Sequence, residues 1–275
     1  MIWKVLLCQM DVALGDPEEN RRRAAHWLEQ ATGQGAQVAV LPELWTTAYA
    51  LDRIDTLADR DGEPTLGWLE STAQRLGLSL VAGSIADHRG SRTYNTAYII
   101  SNQGERLARY DKVHLFRLMA EEKFLAPGDR PGFFRLDGVP CGVEICYDLR
   151  FPEISRTLAL AGAKVIFIPA EWPEPRLHHW RSLLIARAIE NQAFVIAVNR
   201  VGRKDPAQAD TDVFFGHSLA VSPWGEVLAE AGEKEELKLV ELDLAEVDRV
   251  RQQIPVFSDR APQAYRAPGA PPLGE

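Results

Sequence analysis

Short apolar runs alternate along this chain with stretches whose apolar residues recur at helical spacing, the pattern of buried strands separated by amphipathic helices. Trp3 to Met10, Val38 to Leu41 and Leu78 to Gly83 read as buried strands. Between the first two, Asp16-Pro17-Glu18-Glu19 opens a helix, with Asp16 as N-cap, Pro17 in the first position and Glu19 closing the cap. Ala24, Trp27, Leu28 and Ala31 follow on one face, and Gly33 and Gly35 stop the helix. A second helix runs from Pro64 to Leu76, with Leu66, Leu69, Ala73 and Leu76 on one face and Gly77 as the stop.

Hairpin signals come next. Thr96 to Ser101 and Arg106 to Tyr110 flank Asn102-Gln103-Gly104, and Phe133 to Leu136 and Val139 to Ile145 flank Asp137-Gly138. Ser218 to Val221 and Val227 to Ala229 flank Pro223-Trp224-Gly225. Helices are predicted over Ile154 to Leu160, Trp180 to Ile189 and Ala245 to Arg251, and strands over Val165 to Ile168, Ala193 to Val198 and Leu237 to Leu242. No repeat and no Ser/Gly linker divides the chain, so one domain is expected over residues 1–260. Residues 261–275 are rich in Pro, Ala and Gly, too poor in apolar side chains to pack alone, and read as a loose tail or an arm across a partner. The fold class is α/β with mixed sheets. The pattern alone fits both an open doubly wound sheet and a two-sheet sandwich with helices outside.

Composition narrows the function. The 275 residues, 46% hydrophobic, suffice for one full core. A net charge of −8 argues against nucleic acid or an anionic membrane as the partner. No apolar run is long enough to span a bilayer, and the N-terminus enters a strand without a leader-like segment. Cys8, Cys141 and Cys146 lack the spacing of a disulfide framework or a zinc site, so a reducing cytoplasm is expected. His178, His179 and His217 make no metal triad, and no metal or cofactor is called for.

The stretch Gly142-Val143-Glu144-Ile145-Cys146-Tyr147-Asp148-Leu149-Arg150-Phe151-Pro152-Glu153 carries the chemistry. An apolar run meets a Pro that suits the first turn of a helix, so Cys146 sits on a sharp strand-to-helix turn. There a sulfur can leave the core, and the next N–H groups can converge on one spot. A lone Cys among apolar residues is more often an inert buried thiol. Its company changes that reading, because Glu43 and Lys112 also stand just past strand ends, where ligand sites of α/β proteins gather. Acyl transfer from nitrogen needs a base for the thiol and cationic or N–H donors for an oxyanion. Glu43 suits the first need, and Lys112 with the N–H of Tyr147 the second. Either Glu121 or Glu122 is available to keep Lys112 charged. Asp148 reads as a turn or capping residue.

Leu41-Pro42-Glu43-Leu44, Tyr110 to Phe116 and Cys146 to Glu153 resemble the three signature segments of the nitrilase superfamily of carbon–nitrogen hydrolases, and they occur in that family's order. Ala82-Gly83-Ser84, Tyr94-Asn95-Thr96, Ala126-Pro127-Gly128-Asp129, Ala186 to Gln192 and Gly216-His217-Ser218 extend the likeness from about Lys4 to Val250. The resemblance implies a four-layer αββα sandwich that pairs into a homodimer. It implies Glu43 as general base, Lys112 as oxyanion stabiliser, Cys146 as a nucleophile passing through a thioester, and a second glutamate whose place falls on Glu121.

Within the superfamily, Cys-Tyr-Asp-Leu-Arg-Phe-Pro-Glu is most similar to the omega-amidase group, which hydrolyses the terminal amide of monoamides such as 2-oxoglutaramate. A carboxylated substrate calls for a cation. Arg150 is placed for that role, with Tyr49 as a hydroxyl donor and Trp172 reshaping the acyl pocket; Arg150 bridging Asp148 or Glu153 is the structural alternative. Rival activities are an N-carbamoyl amino acid or polyamine amidohydrolase, a deaminated-glutathione amidase, or a non-catalytic scaffold.

Overall fold

The computed structural model describes residues 1–208 and 211–265, so the last ten residues of the expected tail lie outside the described residues. In chain order the first strands and helices are β1 (Ile2–Gln9), α1 (Pro17–Gly33), β2 (Val38–Val40), α2 (Ile54–Leu57), β3 (Asp59–Arg60) and α3 (Thr65–Leu76). Then come β4 (Ser79–Val81), β5 (Ile85–Arg89), β6 (Arg92–Ile100), β7 (Arg106–Asp111), β8 (Gly132–Leu136), β9 (Val139–Val143) and α4 (Pro152–Leu160). β10 (Val165–Ala170), α5 (Leu177–Asn191), β11 (Phe194–Asn199), β12 (Val201–Arg203) and β13 (Val213–Phe215) follow. The chain closes on β14 (Leu219–Val221), β15 (Val227–Glu230), β16 (Glu236–Asp243) and α6 (Ala245–Gln253).

Two mixed sheets face each other. One runs β16-β1-β2-β4-β6-β5-β3, with β7 also paired to β6; the other runs β15-β14-β11-β10-β9-β8. Alternation along the strands decides what each side chain meets. In β1, Val5 and Leu7 join the core between the sheets, while Leu6 and Cys8 join the core under the helices. β2 repeats this, with Val38 and Val40 inward and Ala39 outward. Ala24 and Leu28 of α1 and Leu66, Leu69 and Ala73 of α3 cover the outer face of the first sheet. Trp180, Leu184 and Ala188 of α5 pack on the second. This is the αββα layering, which resolves the open choice between sandwich and doubly wound sheet.

The expected capping is present: Asp16 Oδ1 accepts from the N–H of Glu19 at 3.1 Å, and Gly77 ends α3 in the left-handed region at φ +61°. The three expected hairpins form as β6–β7, β8–β9 and β14–β15. The pattern did not show β3, β5, β12 and β13. The strand-to-helix turn at Cys146 also differs from a direct junction, because a 3-10 turn, Cys146–Arg150, stands between β9 and α4.

Candidate active site

Each of the expected reactive residues lies just past a strand and is held there by backbone contacts. Glu43 follows β2. Its neighbour Leu44 has a positive φ of 40° and is pinned by its N–H to Ser84 Oγ at 2.9 Å. A Cβ on Gly83 would meet the Pro42 carbonyl at 2.0 Å, so only glycine lets these two segments touch. Lys112 follows β7, donating its N–H to Asn95 O at 2.9 Å and accepting from the N–H of Gly128 at 2.8 Å.

Cys146 opens the 3-10 turn at φ +49°. Asp148 ties that turn down. Its carboxylate accepts from the N–H of Ile145 at 3.0 Å, the Tyr110 hydroxyl at 2.7 Å and the N–H of His114 at 2.9 Å. Asp148 therefore caps, as expected, and also clamps the Lys112 segment to the Cys146 segment. The first amides of the turn, those of Cys146 and Tyr147, have no acceptor within it.

The side chains converge. Lys112 Nζ lies 2.7 Å from Glu43 Oε1 and 2.7 Å from Glu121 Oε1, with all three residues fully buried. Glu121 is the buried member of the adjacent pair and Glu122 is exposed. Glu121 Oε2 accepts from the N–H of Phe116 at 2.7 Å. Glu43 Oε1 also accepts from Asn95 Nδ2 at 2.8 Å, and Glu43 Oε2 from the N–H of Glu171 at 2.8 Å. The thiol of Cys146 lies beside the Glu43 carboxylate, with the Lys112 ammonium and Glu121 also acting on it.

Charge follows from this packing. Burial works against the Lys112 ammonium, but the carboxylates of Glu121 and Glu43 outweigh it and hold Lys112 charged well above the usual lysine range. Burial and the negative charge and hydrogen bond of Glu43 push the Cys146 thiol well up, against the opposing pull of Lys112. The resting sulfur is thus a neutral thiol beside its base. Burial raises Glu121, against the pull of Lys112.

The remaining expected residues divide. Tyr147, Arg150 and Trp172 line a narrow cleft above Cys146, together with Phe116, Glu171, Pro173 and Arg176. Arg150 makes no ion pair with Asp148 or Glu153; its guanidinium lies over the Trp172 ring at 4.6 Å. Trp172 is buried, its backbone N–H donating to Asn199 Oδ1 at 2.7 Å and its indole N–H to the Arg176 carbonyl at 3.2 Å. Tyr49 differs from expectation: its hydroxyl donates to Glu121 Oε1 and lies 3.3 Å from Glu43 Oε1, so it is spent inside the carboxylate cluster. Sequence reasoning assigned nothing to Asn95, Glu171 or Arg176. Asn95 sits inside one of the matching segments, which was the available signal; Glu171 and Arg176 carried none. Among the described residues, no group of three or more His, Cys, Asp or Glu is placed to hold a metal ion.

Two stacked sheets with an acid, an ammonium and a thiol at their strand ends define a class. The chain belongs to the carbon–nitrogen hydrolase family, which it matches over residues 4–252. It is 48% identical to the 2-oxoglutaramate amidase of Bacillus subtilis (strain 168), a match covering 96% of this chain and 100% of that protein. It is 32% identical to the omega-amidase NIT2 of Homo sapiens over 96% of each chain. A CN-hydrolase superfamily protein from Xanthomonas campestris, solved with an arsenic adduct in its active site, superposes with a TM-score of 0.87 at 30% identity, covering 95% of this chain and 98% of that one.

Proposed function

We propose that this chain is a thiol-dependent amidase that hydrolyses the terminal amide of a small dicarboxylic acid monoamide, such as 2-oxoglutaramate, to the carboxylate and ammonia. The convergence of Glu43, Lys112, Glu121 and Cys146 carries the reading. The thiol gives its proton to Glu43 as sulfur bonds to the amide carbon, so a thiolate never has to exist free in the buried site. The carbonyl oxygen becomes an oxyanion, met by Lys112 Nζ and the N–H of Tyr147. Glu43 passes the proton to nitrogen, the C–N bond breaks and ammonia leaves a thioester. Water then attacks the acyl carbon with Glu43 as base, the C–S bond breaks and the thiol is restored. Glu121 fixes and charges Lys112, and the Tyr49 hydroxyl fixes Glu121.

Arg150 and Arg176 line the cleft with no ion-pair partner among the described residues, which suits a substrate bearing a carboxylate beyond its amide. The similarity to the B. subtilis amidase supports the same substrate class. A homodimer belongs to this reading, as does a reducing cytoplasm. No helix among the described residues is long and apolar enough to cross a membrane.

Ammonia release from 2-oxoglutaramate, succinamate, an N-carbamoyl amino acid and an aliphatic nitrile tests the proposal. Turnover of the first two is expected. Release from the carbamoyl compound alone would replace the substrate class, and no turnover of any would favour a scaffold.

A further inference from the structure

Glu171 is the buried acid of the site that the reaction above leaves unused. It follows β10, lines the cleft over Cys146 and is fully buried. Its backbone N–H is committed to Glu43 Oε2, and its Oε2 accepts from Arg200 Nη1 at 3.3 Å. Its Oε1 is buried and has no hydrogen-bond partner among the described residues. Arg200 cannot swing to serve both oxygens. It is held by Asp11 Oδ1 at 2.7 Å, by the Val12 carbonyl at 2.8 Å and by the Val201 carbonyl at 3.0 Å, and it stacks on Phe214. A buried polar atom left without a partner is costly, and in a cleft the partner is supplied by what binds there.

The polarity of that atom follows from its neighbours. Arg200 faces one oxygen, Glu43 lies beside the residue, Asp11 stands behind Arg200, the Tyr49 hydroxyl is close by, and Cys146, Tyr147, Arg150 and Arg176 line the same cleft. Burial is the largest influence and, with Glu43 and Asp11, outweighs Arg200, pushing Glu171 up to about 8. At neutral pH the carboxyl is protonated. The guanidinium requires an acceptor at Oε2, so the proton sits on Oε1, which becomes a donor.

We propose that Glu171 is a specificity-determining residue whose Oε1 donates a hydrogen bond to the 2-oxo group of the acyl chain. The inference rests on the amidase reading: the arginines take the carboxylate and the oxyanion donors take the amide oxygen, which leaves the oxo oxygen as the substrate's unmatched acceptor. Its test compares kcat/KM for 2-oxoglutaramate with that for glutaramate, which has the same carboxylate and amide but no oxo group. Taking the ratio cancels ionisations common to both.

The wild-type ratio is expected to favour the oxo substrate by about 10- to 100-fold at neutral pH, the cost of an unpaired buried polar group. It should fall as pH rises through about 8, where Glu171 loses its proton. In Glu171→Gln the amide oxygen faces Arg200 and the NH2 replaces the Oε1 donor, so the preference should persist and lose its pH dependence. Glu171→Leu should bring the ratio close to one. If that variant fails to fold, the wild-type and Glu171→Gln profiles decide. A ratio that ignores pH in the wild type, or Glu171→Leu slowing both substrates equally, would reduce Glu171 to an anchor for Arg200 and overturn the inference. Absence of turnover with any amide would remove the amidase reading itself, and the inference with it.

Discussion

Burial pushes all three cysteine thiols up, Cys8 to about 12, so acidity does not single out Cys146. Its surroundings do, because among the three cysteines Cys146 alone has the Glu43 carboxylate and the Lys112 ammonium acting on it. Cys146→Ala is therefore expected to abolish ammonia release and leave the melting temperature close to that of the parent. Lys112→Ala should lower kcat at least ~100-fold, the usual cost of an oxyanion donor. It should also destabilise the protein by about 3–5 kcal/mol, because it strands Glu43 and Glu121 without their buried cation. Denaturant unfolding beside steady-state kinetics checks both halves. Arg150→Ala should raise KM for carboxylated amides more than for neutral ones; an equal effect would take it out of the substrate site.

At the scale of elements, the site is a set of strand ends joined by close backbone approaches. Gly83→Ala should cost stability and activity together, since a Cβ there drives against the Pro42 carbonyl beside Glu43; a variant with wild-type unfolding midpoint would show that the segment yields. Elements that announced themselves did so through local chemistry, as with the Asp16 cap and the Asp137-Gly138 turn. β5 escaped because Asp87, His88 and Arg89 break the apolar pattern, although Asp87 is buried and satisfied by Tyr98 and the Gly62 N–H. Glu43, Lys112 and Cys146 were legible because motif and strand end coincide. Glu171 was not, since its meeting with Glu43 spans 128 residues and no local rule encodes it. The direction of the Tyr49 hydroxyl was equally a tertiary fact.

For the molecule as a whole, buried acids set the response to pH. Glu144, two residues before the nucleophile, is fully buried, and burial pushes it up to about 8. A carboxyl whose folded value exceeds its unfolded one, near 4.5, contributes most to stability below that lower value. The contribution falls as pH climbs from there through about 8. Glu144→Gln should flatten this decline and raise stability at pH 8.5 by on the order of a few kcal/mol relative to the parent, while changing little near pH 5. Unfolding midpoints across that range check the sign.

The uncharged state of the resting sulfur has a consequence for its encounter with oxidants. Peroxide attacks thiolates, and this sulfur is denied that form until an acyl group arrives to take the electrons. The Cys146 sulfur is therefore expected to resist peroxide while the cleft is empty and to become reactive only as an amide is attacked.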